Sequence, residues 1–173
     1  MSAARRRRRR PTNRSEATTK VLVAGIGNIF LGDDGFGPAV VRRLPAPTAA
    51  DVRVADYGIR GMHLAYDLLN DWDALVLVDA LPDRGAPGRV EVFRAEQAEE
   101  AGTRLDAHAM DPEAVFSMVR TLGGTVPPTV IVGCQVVSVA EGIGLTEPVE
   151  AAVAPAAAAV GSVLADLLSR QEV

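Results

Sequence analysis

Residues 21–44, VLVAGIGNIFLGDDGFGPAVVRRL, constrain this chain more than any other stretch. The apolar run Val21-Leu22-Val23-Ala24 passes through Gly25, Gly27 and Asn28 and ends in two adjacent carboxylates, Asp33 and Asp34, set between Gly32 and Gly35. A continuous β-branched run closed by glycines fits a strand buried on both faces. Pro38, ahead of Ala39-Val40-Val41, fits the first turn of a helix. The carboxylates then stand just beyond the carboxyl end of a buried strand, on a turn expected to be mobile. Open α/β sheets bind their ligands at that edge. The glycines are spaced Gly25-x-Gly27-x-x-x-x-Gly32, which misses the dinucleotide fingerprint, and no Gly-Lys-Ser/Thr follows to complete a phosphate loop.

Length and charge bound the rest. A chain of 173 residues holds one domain with a full core. The net charge of −4 hides a division, because residues 2–20 carry eight basic side chains against Glu16 and leave about −11 on the remainder. An acidic body lacks the basic patch that displaces counterions from nucleic acid, so no nucleic-acid partner is expected. A single cysteine, Cys134, forms no internal disulfide, which points to a reducing, cytoplasmic setting. Residues 1–19, with arginine at every position from 5 to 10, read as a disordered, solvated tail without a signal-peptide core, and residues 20–173 as the single domain. No run approaches the ~20 apolar residues of a membrane span, so no membrane partner is expected.

Periodicity then places the elements. Residues 51–55 alternate as a second strand that leads into Asp56-Tyr57-Gly58, and Met62, Ala65, Tyr66, Leu68 and Leu69 fall at helical spacing within 59–69. Residues 73–79 are the strongest strand, an apolar run closed by Asp79. Residues 89–94 alternate as a half-exposed or edge strand after a turn-rich segment. Asp111-Pro112-Glu113 reads as N-cap and first turn of a helix to Leu122. Residues 127–137 supply the last core strand. Thr146-Glu147-Pro148 opens an alanine-rich helix to about Ser169, with a kink or break expected at Pro155. Strands alternating with helices predict an α/β fold: a three-layer sandwich whose mostly parallel central sheet has about five strands, with helices on both faces.

A sheet of that kind gathers Asp34, Asp79 and His108, the last in the loop before the Pro112 helix. Two carboxylates and an imidazole form a three-ligand set suited to a borderline divalent ion such as nickel, zinc or manganese. Each residue alone has a plainer reading, since an acid ending a strand also serves as a cap or ion-pair partner and a loop histidine is more often a surface residue.

From residue 20 to about 168 the sequence resembles the nickel–iron hydrogenase maturation endopeptidases. The resemblance is carried by Gly25-Ile26-Gly27-Asn28 through Asp33-Asp34-Gly35-Phe36-Gly37, by Gly61-Met62, by Leu77-Val78-Asp79-Ala80, and by Gly142-Ile143-Gly144-Leu145-Thr146 with Pro148-Val149. It implies a monomeric, cytoplasmic peptidase that removes the C-terminal extension of the hydrogenase large-subunit precursor after metal loading. It also implies that Asp34, Asp79 and His108 form the metal and catalytic site. Nickel would be supplied by the precursor, and cadmium or zinc could take its place. Some relatives carry Glu where this chain has Asp34, and Asp33 competes for the role; Asp34 is preferred. The family's Asp-Gly-Gly-Thr is replaced by Asp56-Tyr57-Gly58-Ile59, a loop tied to substrate choice or simply a turn that needs Gly58 for its positive φ.

Other polar residues have plainer readings. His63 is a helix-surface residue, and Cys134 a small buried hydrophobe without a histidine placed to activate it. Ser117 and Ser138 lack a nucleophile elbow. Two rival functions remain: a nickel-binding carrier or checkpoint that grips the precursor without cutting it, and a nucleotide-dependent enzyme that cradles phosphate on the glycine turn.

Overall fold

Val21–Ile26 forms β1, and every residue of it is buried. The computed structural model describes residues 18–100 and 110–170, so most of the arginine-rich tail and His108 lie outside the described residues. After β1 a 3-10 turn, Gly32–Gly35, runs straight into helix α1, Phe36–Arg43. The remaining elements are β2 (Val52–Gly58), α2 (Gly61–Asp67), β3 (Ala74–Leu81), β4 (Val90–Arg94), α3 (Ala95–Glu100), α4 (Pro112–Thr121), β5 (Thr129–Gln135) and α5 (Glu147–Ser169).

The strands form one sheet in the order β2-β1-β3-β5-β4. All pairs are parallel except β4 with β5, which are antiparallel. The short, alternating β4 is an edge strand, as its pattern predicts. From β1 the chain moves to one side to make β2 and then crosses to the other side to make β3. The carboxyl ends of β1 and β3 therefore flank a reversal of strand order, the place where such sheets open a crevice.

Side-chain alternation divides the core into two layers. Val21, Val23, Val76, Val78, Val132 and Cys134 face α1 and α5, where Phe36, Val40, Val149, Val153 and Val160 cover them. Leu22, Ala24, Ile26, Leu75, Leu77 and Ile131 face α2 and α4, against Leu64, Val115, Phe116 and Val119. Each fully buried Leu, Ile, Val or Phe contributes about 1.5–3 kcal/mol of transfer free energy. This is the three-layer α/β sandwich that the pattern predicts.

Four expectations change. β3 continues past Asp79 to Leu81, because Ala80 and Leu81 still pair with Cys134 and Gln135. The acid turn is a 3-10 helix with Asp33, Asp34 and Gly35 buried, not a mobile loop. Helix α5 runs through Pro155 without interruption; Pro155 and Ala151 lie on the exposed side, where water can satisfy the Ala151 carbonyl that proline leaves without a donor. Finally, α5 is long and apolar enough to cross a membrane by length and composition. No unbroken apolar run announces it, because Glu150, Pro155 and Asp166 interrupt the alanines, valines and leucines that make it hydrophobic. One side of it, with Val149, Ala152, Val153, Ala156 and Val160, packs into the core.

Candidate active site

The alternation of β3 puts Asp79 on the same side as Leu75, Leu77 and Leu81, the side that α2 and α4 cover. Only 2% of Asp79 is exposed, and its Oδ1 accepts a hydrogen bond of 2.8 Å from the Ala80 N–H. Burial pushes its carboxyl well above the usual carboxylate range. The charge of Asp34, and more weakly that of Asp111, adds to the shift, against the opposing Ala80 bond. Asp34, from the 3-10 turn after β1, and Asp79, from β3, thus lie close enough for one charge to resist the other.

Asp34 is 1% exposed and reaches its place through the 3-10 turn. The Asn28 N–H donates to its Oδ2 at 2.8 Å, so the loop leaving β1 orients the carboxylate that the loop later supplies. Gly27 makes this possible. It has φ of +133°, and a Cβ there would fall 1.9 Å from the Asp34 carbonyl oxygen. The glycines of the motif thus let backbone approach backbone, a sufficient reason for them without a phosphate.

Asp33 has a different part. Its side chain is completely buried and takes hydrogen bonds from the N–H groups of Val137 (2.8 Å), Ser138 (3.1 Å) and Thr146 (2.7 Å) and from the Thr146 hydroxyl (3.0 and 2.9 Å). Burial alone would raise its pKa, but these donors outweigh burial and hold the carboxyl below its ordinary value. Adjacent aspartates are therefore opposite in character: one carboxylate is saturated with donors, while the other faces a second acid. Sequence reasoning missed the role of Asp33, whose partners lie more than 100 positions away. The only signal was the second glycine motif ending at Thr146.

The remaining candidates separate cleanly. His63 is on the exposed side of α2, as expected of a helix-surface residue. Cys134 is fully buried in β5, and burial, with the Asp33 charge adding to it, pushes its thiol up to about 11. Ser138 Oγ accepts from the Ala140 N–H, and Ser117 lies exposed on α4. Asp111 caps α4 through the Glu113 N–H at 2.9 Å, as its position before Pro112 predicts. Gly58 has φ of +54°, so the turn after β2 does need a glycine. Among the described residues, no three His, Cys, Asp or Glu side chains are grouped to hold a metal; His108, the third residue of the expected set, lies outside them. A cavity of about 400 Å³ beside Arg84, Glu91 and Phe93 follows edge strand β4 and includes neither Asp34 nor Asp79.

Comparison with known proteins identifies the setting of this carboxylate pair. A family model described as hydrogenase maturation protease matches residues 38–163. The hydrogenase 2 maturation protease of Escherichia coli is 33% identical over 141 residues, covering 79% of this chain and 85% of the relative. The hydrogenase expression/formation protein HupD of Bradyrhizobium diazoefficiens is 31% identical over 159 residues, covering 88% of this chain and 81% of the relative. Among solved structures, the hydrogenase maturating endopeptidase HybD from E. coli superposes with a TM-score of 0.73 at 32% identity, covering 86% of this chain and 93% of that one. A sandwich with two buried acids at the strand-order reversal, matched in sequence and in fold to these enzymes, is a peptidase, and the chain belongs to the hydrogenase maturation protease family.

Proposed function

We propose that this protein cuts the C-terminal extension from a nickel-loaded hydrogenase large-subunit precursor, using the nickel that the precursor carries as its recognition handle. The observation that carries the reading is the pair Asp34 and Asp79, two buried carboxylates, one on the 3-10 turn after β1 and one near the carboxyl end of neighbouring β3, with the Asp79 carboxyl raised by burial and by the Asp34 charge. Two acids that resist joint ionisation are stabilised either by a proton or by a cation between them. A borderline divalent ion satisfies the same demand, and carboxylate with imidazole is a suitable donor set for it. Cadmium or zinc would be accepted on the same grounds.

In this reading Asp34, Asp79 and His108 hold the substrate's nickel and place the scissile peptide beside it. Nickel bound there supplies positive charge that favours the ionised carboxylates and polarises an oxygen. The chain's own residues orient the substrate and move a proton. A carboxylate oxygen of the pair takes a proton from water as the water oxygen bonds to the peptide carbonyl carbon. The C–N bond then breaks, and the proton passes to the departing nitrogen. Asp33 is unsuited to these steps, because donors already surround both its oxygens.

Mass spectrometry of the purified precursor tests the proposal. Nickel-loaded precursor incubated with this protein should lose its C-terminal extension, and metal-free precursor should stay intact. A loaded precursor that binds the protein and keeps its extension would instead establish a carrier or checkpoint.

A further inference from the structure

Residues 137–146 leave β5, pass over the acid turn and return to start α5. They are stitched to that turn from several sides: Gly32 N–H donates to the Gly142 carbonyl at 2.9 Å, Gly142 N–H to the Phe30 carbonyl at 2.9 Å, and Asp33 N–H to the Ser138 carbonyl at 3.0 Å. The Asp33 carboxylate then gathers Val137, Ser138 and Thr146 from both ends of the segment. Thr146 is the residue before α5, yet its side chain makes no cap bond to the helix; its hydroxyl goes to Asp33. Leu145 approaches Gly35 from the same side.

Beside the polar Ser138 and Glu141, this anchored segment holds apolar side chains out into water. Ile143 is 80% exposed between Gly142 and Gly144, both at positive φ, and neither glycine has another atom within 4 Å of a Cβ built on it. Val137 and Phe30 are also exposed. Ile143 therefore does nothing visible for the core, and an aliphatic side chain held out in water gains by being covered. Because the segment is bonded to the very turn that bears Asp34, a polypeptide seated on that turn would pass close to it.

We propose that residues 137–146 form a substrate-gripping wall that binds apolar side chains of the precursor beside its scissile bond, with Asp33 and Thr146 as the positioning residues that fix this wall to the acid turn. The proposal rests on the peptidase reading. It explains why a buried charge is devoted to a surface loop: the wall must keep a set distance from Asp34. Asp34 has a donor of its own in the Asn28 N–H, so loosening the wall should weaken the grip on substrate more than the chemical step.

Steady-state cleavage of nickel-loaded precursor by three variants tests it. Ile143→Ser should raise KM about fivefold or more with kcat within about twofold of wild type and an unchanged Tm. Thr146→Val should shift KM in the same direction, and Thr146→Ser, which keeps the hydroxyl, should restore it. An Ile143→Ser enzyme with wild-type KM, or a Thr146→Val loss that lies in kcat alone and is not restored by serine, overturns the proposal while wild-type cleavage leaves the peptidase reading standing. A wild-type protein that leaves the precursor uncut overturns both.

Discussion

Gly37, in the first turn of α1, lies so close to Ile26 at the end of β1 that a Cβ on it would stand 2.2 Å from the Ile26 carbonyl oxygen, and 2.4 Å from that of Val78 in β3. The helix that follows the acid turn is thus seated directly on the backbone of β1, which leads to that turn, and of β3, which carries Asp79. Gly37→Ala would press a methyl group against two backbone oxygens that the sheet holds in place. We expect a loss of about 3 kcal/mol in denaturant unfolding, at the upper end for overpacked sites, with cleavage reduced because α1 and the turn shift together. A variant within about 0.5 kcal/mol of wild type would show that α1 is free to move away.

Asp33→Asn keeps the shape of the side chain but turns an amide toward donors. Hydrogen bonds to a charged acceptor contribute roughly 1.5–3 kcal/mol each and are not additive, so an overall loss of about 3 kcal/mol at neutral pH is expected. The sign with pH follows from the depressed carboxyl. The stabilisation by Asp33 is complete above the unfolded carboxylate value and disappears as pH falls through the lower folded value. The gap in stability between wild type and Asp33→Asn should therefore be widest above about pH 5 and narrow in acid. A gap independent of pH would mean that the charge of Asp33 is not what holds the 137–146 segment.

Much of the fold is legible in local pattern, because the strongest signals are local. Continuous apolar runs mark β1 and β3, alternation marks β4 as an edge, and Asp111 before Pro112 marks the start of α4. What escaped depends on distance or on packing. Asp33 and Thr146 are 113 positions apart, and nothing in the neighbourhood of either announces the other. Gly35 has φ of −73°, open to any residue; its constraint is space, since a Cβ would lie 3.3 Å from the Ile29 Cα. Helix α3 went unnoticed because six residues, AEQAEE, carry no apolar period. At the site, the acids are legible as acids that follow apolar runs, but which of Asp33 and Asp34 is committed to structure appears only in their hydrogen-bond partners.

Cys134 offers a check on burial at the sheet centre. Its thiol is fully buried and its pKa is pushed up to about 11 by burial first and by the charge of Asp33 second. At pH 8 it should therefore be present as thiol and react with a disulfide reagent only when the protein unfolds, since the thiolate is the nucleophile. Complete labelling under native conditions at the rate of a free thiol would show that β5 opens readily. Cys134→Ala should leave cleavage intact and cost about 1 kcal/mol for the lost packing.

The carboxylate pair makes the most demanding prediction, because function and stability should move in opposite directions. Asp79 has a raised carboxyl, so its contribution to stability is fully present below the unfolded carboxylate value and is lost as pH rises through the folded value. Asp79→Asn removes the charge but keeps an oxygen for the Ala80 N–H. The variant should melt at or above wild type at pH 7–8, with the advantage shrinking as pH falls toward 4. It should also fail to cut the precursor and lose affinity for added nickel, cadmium or zinc. Asp34→Asn should share the loss of cleavage and of metal affinity, as should His108→Ala if His108 completes the set. His63→Ala, on the exposed side of α2, should stay within about 0.5 kcal/mol of wild type and cut normally. Calorimetric melting across pH, metal titration and the precursor assay on these four proteins check every arm. An Asp79→Asn protein that cleaves at the wild-type rate would remove Asp79 from the site, and one that melts far below wild type at pH 8 would show that the two carboxylates do not oppose each other.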